Sequence, residues 1–171
     1  MQNVFSYPLK LEDMSTGVKQ YKIQATSDEL HHITEIMQVP EVKSFEAEIN
    51  VRLHKKDHLA DIWGTVRSDV LQISVISLEE FVQKYQTSFE RRVDTKMTLE
   101  EQMSLEEETD DVPDILDNGQ IDLAAIAMEQ LALILDDFPR QKGEKFVFQS
   151  EFDEETTRKN NPFSILEKLK K

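Results

Sequence analysis

The chain contains no cysteine. That excludes a disulfide framework, a thiolate metal site and a cysteine nucleophile, and it fits a reducing compartment. Glycine is scarce, with four residues in 171. No glycine-rich turn of the kind that cradles phosphates or a dinucleotide is present, and no nucleophile elbow. No run approaches the roughly 18 apolar residues of a membrane span. The opening residues, MQNVFSYPLKLED, lack a basic segment followed by an apolar stretch. These absences predict a cytoplasmic protein with no membrane contact and no cofactor. Positive charge is also short: 20 Lys and Arg stand against 34 Asp and Glu, a net charge of −14. A bare phosphate backbone repels such a chain, because nucleic-acid affinity comes largely from Lys and Arg that release counterions.

What charge there is lies unevenly. Residues 94–117 hold ten acids against Lys96 alone, and 158–171 hold five bases against Glu167. The acidic stretch reads as a flexible arm at 96–119, with a helical turn near Leu99–Leu105. Read as a metal-dependent phosphodiesterase cluster, it would need carboxylates on rigid elements.

The rest alternates strand and helix signals. Residues 7–11 and 19–25 read as short strands joined through Gly17. Thr26 and Glu29 have capping-box spacing, Leu30, Ile33 and Met37 share a face, and Pro40 ends that helix. From Phe45 to Leu53 apolar and polar residues alternate strictly, as in a strand with one buried face. A loop at 54–58 follows, then a return strand through Ala60, Ile62, Gly64 and Val66. Residues 69–77 read as a separate central strand. Phe81, Tyr85, Phe89 and Val93 share one parity of another. IDLAAIAMEQLALIL, 121–135, is apolar nearly all round, with only Glu129 and Gln130 polar in its interior, so it reads as a buried helix. EKFVFQS reads as an edge strand. The prediction is α+β: an antiparallel sheet of about six strands, a short N-terminal helix and a long buried helix near the C-terminus. Residues 1–148 would form one domain, interrupted by the arm. Residues 149–171 would be a polar linker and a basic amphipathic tail, with Phe163, Leu166 and Leu169 on one side.

Few residues suggest chemistry. His54 and His58 have i,i+4 spacing, but in a charged loop without a third ligand they read as solvated. Trp63 reads as a packed aromatic rather than an RNA-stacking platform. The C-terminal end of the long helix poses a question. Asp136 and Asp137 sit where the dipole disfavours acids by roughly 0.3–1 kcal/mol each. Pro139 stops the helix and Arg140 follows. An Arg140–Asp136 ion pair would offset that cost and leave Asp137 as an acidic lip.

GQIDLAAIAMEQLALILDDFPRQKGE (119–144) and NPFSILEKLKK (161–171) resemble the C-terminal signature of the YceD family. Its members have an IDL helix start, a helix with E-Q/E-L-x-L-x-L, a proline stop and a terminal NPFxxLxxLK. The resemblance is nearest the alphaproteobacterial branch and is specific only over these two segments. It implies a non-enzymatic role in large-subunit biogenesis and 23S-type rRNA accumulation. The implied partner is a ribosomal protein or a pre-large-subunit particle, with a monomeric chain favoured. Many relatives carry C-x-x-C where this chain has Ser74 and Ser77, so a metal role does not carry over. The interaction residues expected on these grounds are Asp122, Glu129, Gln130, Asp136, Asp137, Pro139, Arg140, Asn161, Pro162, Phe163, Leu166 and Leu169. The net charge favours a basic protein over direct RNA contact. The alternatives are an RNA-processing enzyme with a hidden carboxylate site and a protein adaptor outside ribosome work.

Overall fold

The computed structural model describes residues 4–15, 17–106, 113–115 and 120–145. The chain divides into two compact units, Met1–Gln141 and Lys142–Lys171. All regular structure described below belongs to the first. The tail residues Asn161, Pro162, Phe163, Leu166 and Leu169 and most of EKFVFQS lie outside the described residues.

Period-2 alternation builds the centre. β2 (Val18–Gln24), β3 (Glu41–His54), β4 (Leu59–Ile73) and β5 (Glu80–Asp94) pair antiparallel in that order. One parity of each strand turns inward: Ile23 of β2, Phe45, Ile49 and Val51 of β3, Ile62 and Val66 of β4, Tyr85 and Val93 of β5. On this face lies α1 (Ser27–Met37), against β3, and α3 (Leu123–Ile134), against β4 and β5. Ile33 of α1 and Leu123, Ala127 and Leu131 of α3 are fully buried. Among the described residues the result is two layers, with the helices on one face of the sheet. No described helix is long and apolar enough to cross a membrane.

Local chemistry fixes the helix ends. The Thr26–Glu29 capping box forms, and α1 closes at Gln38 in the left-handed region before Pro40. Thr34 Oγ1 donates to the Leu30 carbonyl and accepts from Val42 N, tying α1 to β3.

Two expectations are corrected. Residues 69–77 are not a strand of their own. β4 runs unbroken through the polar stretch Arg67–Asp69, because Ser68 is buried and donates to the Ser44 carbonyl at 2.7 Å. The chain leaves β4 at Ile73, and Ser74 begins the turn into β5. The sheet is also mixed rather than wholly antiparallel. The two-residue β6 (Asp114–Ile115) runs parallel to Val93–Asp94 of β5, after α2 (Leu99–Glu106). Five strands therefore share the main sheet. A second sheet pairs β1 (Pro8–Lys10) with β7 (Gln120–Asp122), with Leu9 opposite Ile121.

Candidate interaction surfaces

Asp122 is built into the fold. It is the N-cap of α3, and its Oδ1 accepts from the backbone N–H of Ala124 and Ala125. The same Oδ1 accepts from Tyr7 N at 2.9 Å, and Oδ2 accepts from the Ser6 hydroxyl at 2.6 Å. Burial pushes this carboxyl up, but four hydrogen bonds outweigh it and hold its pKa below the ordinary carboxylate range.

Glu129 is likewise engaged. Its Oε1 accepts from Arg91 Nη2 at 2.7 Å, while Arg91 Nε lies 3.0 Å from Asp114 Oδ2. One arginine of β5 thus clamps β6 and α3. The hydrogen bond to Glu129 raises the Arg91 pKa, burial opposes it, and the two carboxylate charges add to the rise. Because both carboxylates reach water when unpaired, Arg91→Gln is expected to cost only about 1–2 kcal/mol. Urea denaturation at neutral pH checks this. Gln130, next to Glu129, is half-buried.

The end of α3 differs from the pair expected there. Among the described residues no ion pair joins Asp136 to Arg140. Asp136 Oδ1 instead accepts from Phe138 N at 3.0 Å, two residues on. That bond stabilises the turn locally, so the carboxylate answers a backbone N–H just outside the helix rather than an arginine. Asp137 and Arg140 are exposed. Pro139 is buried, and its carbonyl accepts from Val75 N at 2.9 Å. The exit from α3 therefore lies beside the β4–β5 turn. Ser74 Oγ organises that turn by accepting from Ile76 N and Ser77 N. Val75, Leu78 and Phe138 stand exposed there. The apolar letters of the turn read as strand in the sequence, which hid this surface.

The uncovered sheet face holds a second feature missed by the sequence. A shallow trough of about 670 Å³ is lined by Glu48, Asn50, Arg52, Trp63, Thr65 and Glu90 among others. Trp63 is not packed in the core. It lies half-buried on this face, with the Arg52 guanidinium 5.4 Å from its ring centroid. His54 is not a free loop histidine either: it ends β3, and its Nε2 lies 2.8 Å from Asp61 Oδ2. Arg92 Nε donates to the other Asp61 oxygen at 3.1 Å. Burial raises the Asp61 carboxyl, but His54 and Arg92 prevail and hold it low. The remaining pairs, such as Lys22–Glu48 at 3.5 Å, are exposed and worth about 0–1 kcal/mol. This face mixes both signs.

Residues 62–170 match the family described as large ribosomal RNA subunit accumulation protein YceD. No curated protein and no solved structure matches the chain.

Proposed function

The chain belongs to the YceD family of large ribosomal RNA subunit accumulation proteins, and we propose that it supports that accumulation as a non-enzymatic factor holding a basic ribosomal protein or an rRNA–protein intermediate. The observation that carries this reading is the charge: 34 acids against 20 bases. An acidic surface attracts a basic protein and steers its approach, whereas RNA phosphates meet repulsion. The carboxylates with displaced titration fit the same reading. Glu101 is held low first by the Thr98 backbone N–H and then by its hydroxyl. Asp61 and Asp122 are held low by their own structural partners. Each is held ionised by a structural contact, which speaks against these three groups serving as general acids. Capture experiments from cell lysate, with and without ribonuclease, test the proposal. Ribosomal proteins should remain bound after ribonuclease; loss of all ribosomal material would show that RNA makes the contact.

A further inference from the structure

The turn between β4 and β5 contains a residue that the fold does not explain. Leu78 has a φ of 62°. That left-handed conformation crowds the Cβ of any L-residue, and glycine or asparagine adopts it at least cost. The side chain is also 76% exposed, so burial does not offset the strain. The turn is nonetheless well pinned, with Leu78 N donating to the Ser74 carbonyl at 2.9 Å. Beside it, across the Val75–Pro139 backbone bond, stands Phe138, 69% exposed and fixed by Asp136. Val75 adds a third exposed apolar side chain. Strain at an exposed apolar residue signals a role outside the chain's own stability.

Charge says what fits there. Segments 74–80 and 136–140 carry Glu79, Glu80, Asp136 and Asp137 against Arg140 alone. We propose that this end of the molecule docks a basic protein segment. Its apolar side chains would seat on Val75, Leu78 and Phe138, with flanking Lys or Arg facing the four carboxylates. The inference rests on the proposed contact with a basic protein and adds where that contact is made. A second copy of the chain would bring the same acidic rim against itself, and RNA would bring phosphates against it.

The test uses the full chain and the RNA-free proteins extracted from purified large ribosomal subunits. Two double variants are compared with wild type: Leu78→Asn with Phe138→Ser, and Glu79→Lys with Asp137→Lys. Wild type should retain basic proteins from the mixture, with both variants binding at least about ten-fold more weakly. Thermal unfolding of Leu78→Asn alone should match or exceed wild type, since asparagine suits the left-handed position. Variants that bind as wild type would overturn this surface while leaving the contact with basic protein intact. A lower melting temperature for Leu78→Asn would give the leucine a structural role and remove the argument from strain. Wild type that binds subunit RNA but none of the RNA-free proteins would overturn both the surface and the protein-contact reading.

Discussion

Gly64→Ala is expected to destabilise the chain by about 3–5 kcal/mol, adding an overpacking cost of about 1–3 kcal/mol to weakened ladder hydrogen bonds. Gly64 lies in the middle of β4, opposite Ile49 of β3 and Phe89 of β5. A Cβ there would run into the Glu48 carbonyl oxygen and come within 3.0 Å of the Ile49 Cα. Both obstacles are backbone, so no side-chain rotation relieves them. The two longest strand pairings of the sheet meet at this residue's strand, and there is no edge to which the distortion can retreat. Against a typical domain stability of about 5–15 kcal/mol, the variant should unfold at much lower urea than wild type. Far-UV circular dichroism along a urea titration measures it. A loss under about 1 kcal/mol would mean that β3 moves aside freely.

Asp122→Ala is expected to cost about 2–3 kcal/mol, from a lost N-cap and from the Tyr7 N–H and Ser6 hydroxyl left without their acceptor. In a chain of this length that corresponds to a melting temperature lower by roughly 5–10 °C. Its titration predicts a pH dependence as well. The folded carboxyl is held below its unfolded value. Its contribution is therefore complete above the ordinary carboxylate range, and it disappears as pH falls through the depressed folded pKa. Between neutral pH and about pH 3, Asp122→Asn should lose less stability than wild type, because the asparagine does not titrate. Calorimetry across that range checks the slope. Equal slopes would assign the acid sensitivity to Asp61 and Glu101, the other carboxyls held low.

Local rules make much of the sheet legible in the sequence alone. The alternation through Phe45–Leu53 gave β3 its buried parity, and the Thr26–Glu29 spacing gave α1 its start, because both depend on residues a few positions apart. In the sequence β4 reads as two strands because polar residues interrupt its inward parity: Ser68 falls in the gap between them, and Gln72 stands at an inward position of the second. Both are buried, and their hydrogen bonds, to the Ser44 carbonyl and the Tyr85 hydroxyl, reach other strands. Such partners have no local signature. The same holds for β6, two residues long and paired in parallel only after α2. Of the residues expected to interact with a partner, Asp122 and Glu129 make contacts that fold the chain. The turn at Ser74–Leu78 reads as the end of a strand, because a left-handed leucine looks like any other leucine in a sequence.

The pairing of β1 with β7 has a consequence for how the protein is made. β2 to β5 follow one another along the chain, so each can pair with its neighbour soon after leaving the ribosome. β1 has no such neighbour. Its partner strand, the carboxylate that anchors Ser6 and Tyr7, and the Leu123 N–H that donates to the Tyr7 carbonyl all come more than a hundred residues later. Until that segment emerges, Leu9 lacks Ile121 opposite it, and Ser6 and Tyr7 lack the carboxylate that holds them. A nascent chain arrested before residue 120 would thus hold a formed sheet with a loose leading end, and protease should clip it there first. The segment around β1 waits for most of the domain before it is fixed in place.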